Sequence, residues 1–513
     1  MVGPPQVGRQ GSAGRRGQGK HDGNEHYNSQ MISIPSPRCD ERIEKQEQLS
    51  KIVFSTLTLE IQINAKAPMD IITLVSVLSQ CLDETSIRQL SVIVTALLTM
   101  SGRVTMLGIA RWSEKGGSYR TIQRFYNRVI PWGMVFWLFF EKHLYQEKHD
   151  YLLVGDESVV SKAGKASHGL DRFFSSIFGK PIKGLAFFSF ALVSVQERKA
   201  YPLLVEQVIR SEVEKAASQA KKEKAIKQGA KQAQKPGKAG RPKGVKNQNK
   251  REIEWTEEML RLKRMGCELL DRIKQRVRIR YIVLDGHFGN NNVAQMVRQA
   301  LELHMICKLR NDSALYCPYS GEQKGKGRRR IYGSKLDFDN IPAQNLVKTF
   351  TEEGIQTDIY QATLLHKAFA DRLNLVIIVK TNPATQRKAH VILFSTDLAL
   401  AFDKLIEAYQ LRFQIEFNFR DAKQFWGFED FMNIKQVPLT NAVGLAFFMV
   451  NLSHLLVSGF REISPQFGVL DLKAHFRARR YAIEALKLLP DFPDTILLEQ
   501  ILDSMPALGS IHS

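Results

Sequence analysis

Two short apolar runs, YLLVGD (151–156) and RYIVLD (280–285), each end in an aspartate. Around them the hydrophobic period keeps changing. AFFSFALVSV (186–195), RKAYPLLVEQV (198–208) and HMICKLR (304–310) have the length and β-branched content of strands. A helix is predicted over about 252–275, and another over NNNVAQMVRQALEL. Strands interleaved with helices predict an α/β sheet domain. A carboxylate at the end of a strand is held by a fixed backbone and reaches into whatever cleft opens beside the sheet.

The flanking segments divide the chain further. Residues 1–64 are rich in Gly, Gln, Arg and Ser, and a disordered basic extension is expected there; MVGPPQVGRQGSAGRRGQGK has no apolar core of a secretory signal. Residues 65–148 read as helical. Within them a Gly-Gly pair separates two potential helices in VTMLGIARWSEKGGSYRTIQRFYNRVIPW. The second, Ser118 to Val129, opens with a Ser cap and carries Arg120, Arg124 and Arg128 at i, i+4 and i+8, which predicts a helix-turn-helix DNA-binding domain with this as its recognition helix. A solvated basic helical hairpin is the plainer reading of the same pattern. Residues 149–310 form the first part of the sheet domain, 311–398 a β-rich segment carrying IYQATLLHK, LNLVIIVK and HVILFSTD, 399–465 two further helices, and 466–513 a helical C-terminal region.

Charge narrows the partners. The 513 residues hold 73 Lys and Arg against 52 Asp and Glu, a net +21, which points to nucleic acid first and an anionic membrane surface second. Residues 210–251 alone carry 14 Lys and Arg against three Glu, more than half of that excess, and read as a basic linker. Its AGRPKG (239–244) resembles an AT-hook core, with Arg241 placed to enter a narrow A·T minor groove. Cysteines at 40, 81, 267, 307 and 317 form no CxxC pair, so neither a disulfide framework nor a structural zinc site is expected, and a reducing cytoplasm fits. The apolar stretch Ala442 to Phe460 contains Asn451 and His454 and is expected to be a buried helix rather than a membrane span.

The segment YQLRFQIEFNFRDAK (409–423) adds a third acid. On one helix, at about 100° per residue, Tyr409, Arg412, Glu416, Arg420 and Lys423 fall on a single stripe. Leu411, Ile415 and Ala422 lie to one side of it, Phe413 and Phe417 to the other. A charged stripe walled by apolar residues predicts a groove for an anion, with a metal possible. Asp156, Asp285 and Glu416 would repel one another without a cation. Oxygen donors of this kind suit Mg²⁺ or Mn²⁺, and two such ions would serve phosphodiester chemistry. Lys162 and Lys165, just past Asp156, are placed to meet DNA backbone.

Tyr409, two residues, Arg412, three residues, Glu416, six residues, Lys423 resembles the Y-R-E-K signature of DDE transposases of bacterial insertion sequences. The order of parts over about residues 70–460 is similar too: helical DNA-binding domain, strand Asp, strand Asp, β insertion, helix Glu. The resemblance implies a ribonuclease-H-like core interrupted by a β-rich insertion and using two Mg²⁺ or Mn²⁺ ions. It implies Asp156, Asp285 and Glu416 as catalytic metal ligands. Tyr409, Arg412 and Lys423 would contact phosphates at the transposon end, and Arg420 is an added cation that could equally pair with Asp421. The implied activity is cut-and-paste transposition: binding of terminal inverted repeats, strand cleavage and transfer into target DNA, by a homodimer or larger synaptic complex on double-stranded DNA in the bacterial cytoplasm. A metal-dependent nuclease or resolvase without strand transfer, and a non-catalytic DNA-binding derivative, are the competing expectations. Two departures stand: Glu157 follows Asp156 and could replace it, and the basic linker lengthens the gap between the two aspartates.

Overall fold

The computed structural model describes residues 70–505 apart from 114–115, 176–177, 213, 217–248, 324 and 491–493, together with residue 511. The expected basic extension, most of the basic linker and Arg241 with its AT-hook-like motif therefore lie outside the described residues.

Five helices come first: α1 (Ile71–Ser76), α2 (Glu84–Thr99), α3 (Met106–Trp112), α4 (Tyr119–Tyr126) and α5 (Trp132–His143). Their starts are written in the sequence. The side chains of Asp70, Asp83, Thr105 and Ser118 each accept a backbone N–H of the first turn of α1, α2, α3 and α4. Between α3 and α4, Gly116 takes φ +99°, a left-handed conformation that suits glycine at this turn. Helix α4 is shorter than the predicted Ser118–Val129. It stops at Tyr126, and Asn127 folds its amide back onto the Gln123 carbonyl at 2.7 Å.

The sheet has twelve strands among the described residues. Its first part comprises β1 (Tyr151–Ser161), β2 (Asp171–Ser175), β3 (Lys180–Ser194) and β4 (Lys199–Val208), then β5 (Tyr281–Leu284) and β6 (His304–Leu309). β1 pairs antiparallel with β3 and parallel with β5, and β5 pairs parallel with β6. The lateral order is thus β4-β3-β1-β5-β6, with β2 also on β3. β1 lies at the centre, which is why its first five residues are all buried and apolar or Gly. Helix α6 (Glu257–Ile273), capped by Thr256, precedes β5. Helix α7 (Asn291–Met296) links β5 to β6.

Six more strands lie between 315 and 395: β7 (Leu315–Pro318), β8 (Tyr332–Lys335), β9 (Leu346–Glu352), β10 (Ile355–His366), β11 (Arg372–Thr381) and β12 (Lys388–Ser395). They continue the same sheet, in the order β6-β12-β11-β10-β7-β8, with β9 on β10.

The predicted single helix over 400–424 is two helices, α8 (Phe402–Leu411) and α9 (Gln414–Phe425). At the joint the amides of Phe413, Ile415 and Glu416 reach carbonyls three residues back instead of four. Then come α10 (Gln436–Arg461), α11 (Val469–Leu486) and α12 (Thr495–Ser504). By length and hydropathy α10 could cross a membrane, yet most of its side chains are buried within the molecule. Two of its buried asparagines have specific partners. Asn441 accepts from the Trp132 indole at 2.8 Å and donates to the carbonyls of Tyr126 and Arg128, tying α4 and α5 to the core. Asn451 donates to the carbonyl of Pro202, where β4 bulges against β3.

Phe428, just past α9, is fully buried, with its ring 5.3 Å from Phe187 on β3 and 5.2 Å from Phe447 on α10. Trp426 is buried beside it. These rings fasten α9 across β1 and β3, and removing one would cost about 3–5 kcal/mol. The cations of α11 also have structural partners. Lys473 donates to the Leu97 carbonyl, and Arg477 to those of Thr99 and Met100, at the C-terminal end of α2, where the helix dipole favours positive charge.

Candidate active site

Asp156 and Asp285 meet because of strand register. β1 and β5 run parallel and pair Gly155 with Leu284, so the next residue on each is an aspartate. Adjacent strands lie about 4.8 Å apart, which sets the two acids side by side. Gly155 is needed just there: a Cβ on it would stand 2.7 Å from the Phe188 ring and 2.8 Å from the Phe190 ring. Successive residues of a strand face opposite ways, and this decides between Asp156 and Glu157. Asp156 faces Arg412, Asp285 and Glu416, whereas Glu157 looks toward Glu258, Arg261, Arg210 and His287.

Glu416 arrives from α9, and Arg412 stands at the α8–α9 joint. The Arg412 guanidinium bridges two of the acids, with Nη1 3.2 Å from Asp156 Oδ2 and Nη2 3.0 Å from Glu416 Oε1. Only 6% of the Arg412 side chain is exposed, against 47% for Glu416, so the acid keeps an open side and the base does not. Arg412 Nε is buried without a hydrogen-bond partner. Burial pushes the Asp156 carboxyl up to about 6; the Glu157 amide and Arg412 pull it down, while Asp285 and Glu416 add to the rise. No side chain among the described residues hydrogen-bonds the Asp285 carboxylate, and the Cys307 thiol reaches only its backbone carbonyl, at 3.1 Å.

The remaining predicted residues fall into groups. Tyr409 is half-buried beside Arg412, its ring centroid 5.8 Å from the guanidinium carbon, and burial pushes its hydroxyl up to about 12. Lys423 reaches β1 at the Val159 carbonyl, 3.4 Å away, and pairs with Glu429 at 3.2 Å. Arg420 shares an exposed face of α9 with Glu416 but pairs with Asp421 at 2.9 Å, the alternative the sequence offered, and covers the Phe417 ring. The expected groove has one true wall. Leu411, Ile415 and Ala422 are buried, but Phe413 and Phe417 are 49% and 45% exposed.

Lys162 is drawn inward. Its ammonium donates to the carbonyls of Glu429 and Phe431 and lies 3.6 Å from the Phe431 ring, and burial lowers its pKa to about 8. Lys165 is exposed in the loop after β1. Arg120 and Arg124 are exposed on α4. Arg128 lies beyond the helix and binds Asp83, the cap of α2, through Nη1 at 2.7 Å. Nothing in the local residue order signals this pair, because Asp83 is distant in the chain. Nor does that order single out Cys307 and Gly155 beside the acids.

Carboxylate oxygens are the right donors for a hard divalent ion. As arranged, no group of three or more His, Cys, Asp or Glu side chains among the described residues is close enough to hold one. The Arg412 guanidinium stands between Asp156 and Glu416 in this arrangement, bonded to both. The donor chemistry of the three acids suits such an ion, and their present spacing does not.

An acid-lined centre on a mixed α/β sheet braced by helices is an arrangement of nucleases. Residues 77–366 match the family model of the DDE superfamily endonucleases, more than half of the chain, and the protein belongs to that family. Membership makes it a transposase-like nuclease with DNA as its substrate, in a family that is generally dependent on divalent metal. The matched span includes Asp156 and Asp285 and ends before Glu416. No curated protein matches the chain.

Proposed function

We propose that the protein is a DNA transposase of an insertion sequence, with the Y-R-E-K group at Tyr409, Arg412, Glu416 and Lys423. It binds terminal inverted repeats, cleaves a strand to expose a 3′-hydroxyl and joins that end to target DNA. The observation that carries this reading is the convergence of strand-borne Asp156 and Asp285 with helix-borne Glu416 about one guanidinium. The strand order β4-β3-β1-β5-β6, with only β3 antiparallel to the other four, supports a ribonuclease-H-like core. The strands between 315 and 395 are its β-rich insertion, and α8 to α10 complete it. Helices α3 and α4 form the helix-turn-helix, with Arg120 and Arg124 toward DNA.

Asp156, Asp285 and Glu416 would hold two Mg²⁺ or Mn²⁺ ions, which supply a lowered pKa for the attacking water or hydroxyl and stabilisation of the leaving oxygen. Arg412, freed from a carboxylate, offers a fork to a phosphate, and Lys423 a point charge beside it. Tyr409, kept protonated by its high pKa, donates a hydrogen bond to a phosphate oxygen. Two ends must be joined, so a dimer or larger synaptic complex is the working form, inside the cell with its DNA. Cleavage without strand transfer is the reading that the family's endonuclease description covers by itself; joined products separate it from transposition.

The test is Mg²⁺-dependent nicking of a duplex bearing the transposon end. Glu416→Gln should lose cleavage by more than the ~10–100-fold typical of a metal-supporting neighbour, while binding the duplex as well as wild type. Equal nicking by the variant would defeat the assignment.

A further inference from the structure

No group of carboxylates among the described residues can hold a divalent ion, and the Arg412 guanidinium lies between two of the acids. Arg412 donates to both Asp156 and Glu416 from a buried position, and it does so from a tightened turn between two helices. A fixed positive charge about 3 Å from two ligands opposes a dication strongly. Two features of the guanidinium bear on its exchange for another partner. Its Nε is buried and unpartnered, so the Nε–Nη edge that best matches a phosphate is not engaged as a fork. Its carbon lies 4.8 Å from the ring centroid of half-exposed Phe413, a surface along which the plane can turn outward.

We propose that Arg412 is a latch: it keeps the acid cluster shut to divalent cations in the free protein, and a DNA phosphate releases it by taking the guanidinium, so that metal loads after DNA binds. The inference rests on reading Asp156, Asp285 and Glu416 as metal ligands. Arg412 acts here as a positioning residue, exchanging two carboxylates for one phosphate. The freed carboxylates then face the ion, which compensates the charge that the guanidinium gave up. Metal and DNA binding become coupled, each strengthening the other by the same factor. A nuclease built this way holds little bound metal until its substrate is in place.

The experiment measures Mn²⁺ binding to the full-length protein from the loss of the free-ion magnetic resonance signal, with and without a short mixed-sequence duplex. Wild type alone should bind weakly and gain at least ~10-fold in affinity with the duplex. Arg412→Gln alone should bind at least ~10-fold tighter than wild type alone and gain little from the duplex. Arg412→Lys, which keeps the charge, should stay weak without DNA. The latch is overturned if Arg412→Gln binds Mn²⁺ no more tightly than wild type, or if the duplex leaves wild-type affinity unchanged. Should Asp156→Asn still weaken Mn²⁺ binding in that case, the ligand assignment survives and the latch alone falls. If wild type and Arg412→Gln both fail to bind Mn²⁺ with and without duplex, both readings fall. The duplex dependence of wild type needs no variant, so misfolding of Arg412→Gln does not rescue the proposal.

Discussion

Asp156 and Asp285 occupy equivalent places on neighbouring parallel strands, each one residue past the Gly155–Leu284 pair. The register brings together two like charges in a site from which water is largely removed, and the Glu157 amide and the Arg412 guanidinium both bond Asp156.

A pH dependence follows. The Asp156 carboxyl sits at about 6 in the folded protein, above the ordinary range of an unfolded aspartate. A raised folded value gives stability that is present below the unfolded value and lost as pH rises through the folded one. With divalent metal chelated, wild type should therefore lose stability relative to Asp156→Asn as pH rises from about 4 to about 6, by on the order of 1–3 kcal/mol. Urea midpoints of the two proteins across that range check it. A difference that stays flat would mean Asp156 is not held in its neutral form.

The three arginines predicted for DNA recognition should behave differently. Arg120 and Arg124 are exposed, whereas Arg128 is engaged by Asp83 and Ser86. Replacing Arg120 and Arg124 together by Ala should weaken duplex binding and reduce the slope of log affinity against log salt by about 2. Arg128→Ala should leave that slope near the wild-type value. Fluorescence anisotropy titrations over a range of salt distinguish them, and an equal slope change for Arg128→Ala would restore it to the DNA-facing set.

Asn441 ties the N-terminal helices to α10. Asn441→Leu leaves the carbonyls of Tyr126 and Arg128 and the Trp132 indole without their partner in a buried place. Unsatisfied groups of this kind cost about 1–3 kcal/mol each, so a loss of about 3 kcal/mol in unfolding free energy is expected. Chemical denaturation measures it; a change below about 1 kcal/mol would show that the network is not structural.

The sequence by itself determined the alternation of strands and helices, the helix cap at Ser118, and the burial of α10 through its composition. Each of these depends on neighbours within a turn or on a repeating period, so local residue order carries it. It also offered three acids and a spaced Y-R-E-K group as candidates for one site. What it could not determine were relations between residues far apart in the chain. Parallel register set Asp156 against Asp285 and turned Glu157 to the opposite face. The tightened joint at Arg412 sank its guanidinium between two of the acids. Asp83 claimed Arg128, and the carbonyls of Glu429 and Phe431 claimed Lys162. A charged side chain takes the partner that tertiary packing puts within about 3 Å, because Coulomb attraction and desolvation are decided at contact distance. No pattern of spacing along the chain encodes which partner that will be.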